Sequence, residues 1–284
     1  MFSAGKDEVA SRRAARAWKA ATSPAMRAIG LSMGAERCRD GTVFGLRIAL
    51  DPFRATPHSP AMAFIDSLRL VLAPPHRAGQ PFIVAGAAVA AAGLFTGFGV
   101  FWLGLCFALF CLYFFRDPER VAPERPGLVL AGADGVVVSV EQVPPPVELG
   151  MGAAPRWRVA TFLSVLNVHV NRMPVSGSVT CIAYHKGLFL NASLDKASEQ
   201  NERNALAIRT PTGQEVAVVQ IAGLIARRIL CEARLGDVVT AGARFGIIRF
   251  GSRTDVYLPP GVEPLVQVGQ TMVGGETVLA TLGG

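Results

Sequence analysis

Charge is scarce in this chain. Asp, Glu, Lys and Arg together make up 17% of 284 residues, while hydrophobic residues make up 51%. That balance excludes an intrinsically disordered chain. The mean hydropathy of +0.37 is high for a purely soluble protein, so a membrane segment is the first thing to seek. Cysteine is sparse and scattered, at positions 38, 106, 111, 181 and 231, with no CxxC pair. An odd set so spaced argues against a disulfide framework and against a zinc site, and fits a reducing compartment. No Gly-rich phosphate loop and no GxSxG elbow occur, which removes two common enzyme signatures. Lysine is missing after Lys196.

The positive charge is uneven. Of the net +7, residues 1–61 carry +5, from 10 Lys/Arg against 5 Asp/Glu. The remainder is nearly neutral, so the basic balance advertises a tail and not a nucleic-acid surface. Pro24, Pro52, Pro57 and Pro60 interrupt that tail. Asp7, Glu8, Glu36, Asp40 and Asp51 weaken its reading as a targeting peptide. Met62 opens an amphipathic segment, MAFIDSLRLVLAPPH, that reads as a natural beginning. A real extension over 1–61 and a misassigned start both stay open.

Residues 82–115 run for 34 positions without a charge. One straight helix of that length would be about 50 Å long, well beyond a bilayer core of about 30 Å. Gly97-Phe98-Gly99 marks a turn near the middle, so two short helices in a hairpin are expected, shallow enough to be re-entrant. Arg69 and Arg77 precede the run, and Arg116 and Arg120 follow it. The positive-inside rule then puts both ends in the cytoplasm. A buried helix pair in a soluble core is the alternative.

Beyond the polar, Pro-rich exit at 116–127 the pattern changes to short apolar runs with Gly/Pro punctuation. GLVLAGADGVVVSVEQV, WRVATFL, GSVTCIAYH, EVAVVQIAG, RFGIIRFG and DVYLP read as strands. Residues 191–206 are long, polar and unlike a strand. The expected fold is α+β, mainly β. Its regions are an extension (1–61), an amphipathic segment with a membrane hairpin (62–119) and a β-rich catalytic domain (120–284). The C-terminal part has the rhythm of a barrel-sandwich. Biotinyl and lipoyl carriers look similar, but the missing lysine counts against a carrier.

Phe250-Gly251-Ser252 sits between two strand-like runs. Taken with ADGVV (133–137), FLSVLNVHVNRMPVSG (162–177), YHKGLFLNASLDKASEQNERN (184–204), FGSRTDVYLP (250–259) and the apolar hairpin, it resembles the short bacterial and archaeal phosphatidylserine decarboxylases. The resemblance covers about residues 62–284. It implies a proenzyme that cleaves itself between Gly251 and Ser252. Ser252 would become a pyruvoyl cofactor, forming a Schiff base with the substrate amine and acting as an electron sink. The products would be a large subunit (1–251) and a small one (252–284) that stay packed together. The implied substrate is phosphatidylserine, met at the inner membrane with the catalytic domain on the cytoplasmic side. Soluble pyruvoyl decarboxylases of amino acids need no such anchor. The sequence is compatible with a homo-oligomer and gives no support for a nucleic-acid partner.

His169 matches a histidine of the family motif, the alternative being a satisfied core histidine. Asp134 stands where the family carries the acidic member of a charge relay, and is otherwise an Asp-Gly turn residue. Longer members carry a second histidine where this chain has Arg172, which leaves the division of roles open. Arg253 and Asp255 flank the cleavage serine and read either as holding its turn or as a surface ion pair. His185, Lys186 and Lys196 are candidate substrate-binding residues, the lysines for a lipid phosphate, against the reading of a solvated loop. Two other readings remain: a membrane-tethered β module or inactive homologue with an intact chain, and a serine hydrolase using Ser252 without self-cleavage.

Overall fold

The structure, a computed structural model of the chain, describes residues 73–187, 201–223, 228–249 and 252–283. The expectations for residues 1–61 and for most of the amphipathic segment, along with those for Lys196 and Gly251, lie outside the described residues.

The uncharged run forms two helices, α1 (Gln80–Thr96) and α2 (Phe98–Phe114). Gly97 alone separates them, at φ 142 and ψ 152, a conformation that a side chain would disfavour. The two helices pack through small residues: Gly86, Ala90, Gly93, Gly104 and Ala108 are buried, whereas Leu94, Phe95, Phe98 and Leu103 are exposed. A Cβ on Gly104 would collide with the Ala90 backbone, and one on Gly93 with the Phe101 backbone. Small residues at a helix seam with large apolar ones outside are the pattern of helices packed in lipid. Each helix is 17 residues, or about 26 Å, slightly less than a bilayer core. At the foot, the hairpin is closed by His76 N–H donating to Phe115 O at 2.7 Å and Asp117 N–H to Pro74 O at 2.9 Å.

Among the other described residues the regular structure is mostly β. The strands are β1 (Leu128–Leu130), β2 (Gly135–Val143), β3 (Arg156–Leu163), β4 (Val170–Arg172), β5 (Gly177–His185), β6 (Arg203–Arg209), β7 (Glu215–Ala222), β8 (Ile229–Cys231), β9 (Val238–Val239), β10 (Arg244–Ile248), β11 (Ser252–Tyr257), β12 (Thr271–Met272) and β13 (Val278–Thr281). Eight form one sheet in the order β12-β2-β3-β11-β7-β6-β5-β9; β4-β10-β8 form a second and β1-β13 a third. All their pairings are antiparallel. The mainly β, α+β expectation therefore holds. One boundary differs: β6 begins at Arg203, inside the stretch read as unlike a strand. Its polar residues looked solvated in sequence, yet Asn204 is buried and bonded inside the sheet.

Two apolar layers cover the large sheet. Val137, Val159, Leu206, Val218 and Val256 join the main core on one face. Ala205, Ala207, Val219, Ile221 and Tyr257 pack on the other with Leu149 and Met151. β11 lies in the middle of the sheet, and all six of its residues are buried. A third cluster ties the hairpin to the small sheet: Cys111, Phe114 and Phe115 pack on Val168, Val170 and Ile247.

Candidate active site

Ser252 is the first residue of β11, paired with Leu163 of β3 and Ala222 of β7. It is fully buried, and its Oγ has no hydrogen-bond partner among the described residues. A buried hydroxyl without a partner is unfavourable by about 1–3 kcal/mol, so such a group invites a functional explanation.

His169 immediately precedes β4. The Ile248 N–H donates to its carbonyl at 3.4 Å, four residues upstream of Ser252. The ring is fully buried and lies against Phe114, the last residue of α2, with centroids 4.2 Å apart. Its Nδ1 is 2.9 Å from the Asn167 carbonyl. A carbonyl only accepts, so Nδ1 carries the proton and the lone pair is on Nε2. Burial lowers the pKa to about 4, with Arg116 adding to the effect, so the imidazole is a neutral base at neutral pH.

Asp134 is placed differently. Its Oδ2 accepts from Arg120 at 2.7 Å and its Oδ1 from the Gly274 N–H at 2.8 Å. The carboxylate thus ties the hairpin exit to the C-terminal segment and makes no bond to His169. Burial raises its pKa, with Arg120 opposing. The orientation of His169 that a carboxylate was expected to provide comes instead from the Asn167 carbonyl. That carbonyl belongs to a loop whose Leu166 O accepts from Arg116 at 2.7 Å and Tyr113 at 3.1 Å, both at the base of α2. Arg172 faces away: it donates to Gly242 O at 2.9 Å and Pro118 O at 2.8 Å and holds the hairpin exit.

Arg253 and Asp255 are not a surface pair. Both are fully buried and joined side-on, Nε to Oδ1 at 2.6 Å and Nη2 to Oδ2 at 2.9 Å. Burial and the Asp255 charge push Tyr257 up to about 12. On the opposite face of β11 a buried polar row crosses the sheet. Asn204 donates to Gln220 (2.9 Å), Gln220 to Asn171 (2.7 Å) and Asn171 to Thr254 (3.5 Å). Asn171 comes from β4, so this row locks the His169 strand onto the Ser252 strand. Sequence reading missed it. The available signal was polar residues at inward positions of otherwise apolar strands, as in EVAVVQIA and RNALAIR.

His185 ends β5 opposite Arg203, which is level with Ile221 and Arg253. Three strand spacings separate it from β11, about 14 Å, and it shares the face of Arg253, not that of Ser252. Lys186 follows it and is exposed. The structure therefore brings together Ser252 and the His169 strand, and does not bring His185 or Lys186 to them. A cavity of about 670 Å³, lined by Arg125, Pro126, Ser176, Thr212 and Leu282 among others, contains none of these residues.

Known proteins match this sequence. The family profile for phosphatidylserine decarboxylase matches residues 107–280. A phosphatidylserine decarboxylase proenzyme of Granulibacter bethesdensis is 70% identical over 224 residues, 79% of this chain and 92% of that protein. Proteins of the same name from Gluconobacter oxydans and Gluconacetobacter diazotrophicus are 65% and 66% identical over 225 residues, each covering 78% of this chain and all of the relative. The matched span runs from within α2 into β13, taking in His169, Ser252 and both main sheets, and on that basis the chain belongs to the phosphatidylserine decarboxylase family of enzymes.

Proposed function

We propose that this chain is a membrane-bound proenzyme that cleaves itself between Gly251 and Ser252 and then decarboxylates phosphatidylserine to phosphatidylethanolamine and CO2. The observation that carries this reading is the Ser252 hydroxyl, buried without a partner at the head of the central strand. A neutral, desolvated histidine on the adjoining sheet supports it.

In the proposed cleavage, Ser252 Oγ adds to the Gly251 carbonyl carbon while His169 Nε2 takes the hydroxyl proton. The C–N bond breaks, the Ser252 nitrogen takes a proton, and the amide becomes an ester. A base then removes the Cα proton of residue 252. The Cβ–Oγ bond breaks, and Gly251 leaves as the carboxylate end of the upstream chain. The dehydroalanine left behind adds water and releases ammonia. No oxidant or reductant is required. The orphaned hydroxyl at 252 fits a position destined to lose its oxygen, because no hydrogen bond is sacrificed when it leaves. The resulting pyruvoyl group supplies a carbonyl that accepts the electrons freed as CO2 departs. Around it, the chain's own residues exclude water through the buried faces of β3, β7 and β11, and hold a basic nitrogen at His169. The hairpin would sit in the bilayer and hold the site at the lipid surface, with Arg77, Arg116 and Arg120 on the cytoplasmic side.

The test compares the wild type with Ser252→Ala by intact mass spectrometry in denaturant and by CO2 release from phosphatidylserine vesicles. The wild type should give two chains, the smaller beginning at residue 252 with a ketone in place of its amine. The variant should stay whole and release no CO2. Decarboxylation by the Ala variant would refute the reading.

A further inference from the structure

We propose that Arg249 and Arg228 form an anion site at the foot of the hairpin that binds the phosphate of a phospholipid headgroup. β8 and β10 pair with Ile248 opposite Ile229, so Arg249 and Arg228 face each other one step beyond, and the Arg249 N–H donates to the Arg228 carbonyl at 3.3 Å. Like charges directly opposite on neighbouring strands repel and destabilise the pair. No acidic side chain among the described residues bridges either guanidinium. By contrast, Arg120, Arg203, Arg244 and Arg253 each hold a carboxylate. Arg249 Nε is buried without a partner among the described residues, and both burial and Arg228 lower the Arg249 pKa. A bound anion removes the repulsion and occupies the empty donors.

The surroundings point to a lipid as the bearer of that anion. The Arg249 guanidinium lies over the ring of Phe82, 5.2 Å from its centroid, in the first turn of α1. Phe82 stacks on Phe115 (5.6 Å), Phe115 meets Phe114 edge-on (4.9 Å), and Phe114 packs on His169 (4.2 Å). The cation and the catalytic base therefore share one aromatic cluster at the base of the apolar hairpin. Arg249 is also three residues from Ser252. In a serine headgroup the phosphorus is three bonds from the carbon that loses CO2, so phosphate and reacting carbon must be held close together. His185 and Lys186, three strands away, do not meet that requirement. The lipid assignment rests on the proposed decarboxylase reading; the anion site itself does not.

The experiment measures binding of phosphatidic acid and of diacylglycerol, in neutral detergent micelles, to the full chain. The wild type should prefer the phosphate-bearing lipid. Arg249→Gln and Arg228→Gln should each weaken it by about ten-fold or more, the scale of a charged hydrogen bond. Arg249→Lys should fall between, because it keeps charge but loses the fork. Diacylglycerol binding should not move. Circular dichroism and the thermal midpoint show whether each variant is folded, and Arg228, being exposed, provides the variant least prone to misfold. Unchanged phosphatidic acid binding in folded variants overturns the proposal. So does an equal loss of sedimentation with vesicles whose negative charge comes from oleate in place of a phospholipid phosphate, which would mean only general attraction to an anionic bilayer. A wild type that binds phosphatidic acid through these arginines yet turns over no phosphatidylserine would sink the decarboxylase reading and leave the anion site standing; turnover without arginine-dependent binding would do the reverse.

Discussion

His169 owes its neutrality to burial. Its pKa is lowered from 6.5 to about 4, so the folded chain keeps the ring neutral where an unfolded chain would protonate it. Above pH 6.5 the ring is neutral in both states and costs nothing. Between 6.5 and about 4 the unfolded state binds the extra proton, so stability falls as pH falls. Self-cleavage that uses this base should run at a level rate from pH 8 to about 5.5 and fail near 4. Quenching freshly synthesised precursor at a series of pH values and weighing the products checks this; a rate halving near 6.5 would mean a solvated histidine. At this scale the sequence was informative about identity and weak about partners. Ser252 and His169 stand in recognisable motifs. The partners of Asp134 do not, because Gly274 is brought to it only by folding. Arg253 and Asp255 could be read as holding the turn or as a surface pair, because SRTD is a run of four polar residues; only the central place of β11 buries both.

Among the elements, the hairpin depends on residues too small to be noticed in a hydrophobic run. Gly104 lets α2 approach the α1 backbone at Ala90, whereas Gly99 has open space where its Cβ would be. Gly104→Val should therefore lower the stability of the detergent-solubilised chain by about 1–3 kcal/mol or more, while Gly99→Val stays within about 1 kcal/mol. Thermal unfolding of the two variants, side by side, separates packing from helix propensity. The break at Gly97 was legible from the length of the uncharged run and its Gly-Phe-Gly. The start of β6 was not. Asn204 reads as loop until Gln220 and Asn171 are seen to satisfy it, and those partners lie in other strands.

For the molecule as a whole, the segment after residue 251 is interleaved and not appended. β11 is flanked by β3 and β7, β12 pairs with β2, and β13 with β1. A cut before Ser252 would leave every one of these ladders intact. Native mass spectrometry of the processed protein should show a single species containing both chains, and denaturant should be needed to part them. A small chain lost in mild detergent would contradict this.

The central position of β11 has one more consequence. Under the proposed self-cleavage the uncut chain would fold as one piece, with loop closure guiding β11 to its slot between β3 and β7. A cut before Ser252 would remove that guidance, and any unfolded molecule would have to recover its central strand from solution as a bimolecular event. The mature protein would then persist because it unfolds slowly and not because it can refold. Its lifetime would be set by the barrier to withdrawing one strand from the middle of a sheet, and each molecule would have a single opportunity to be assembled correctly.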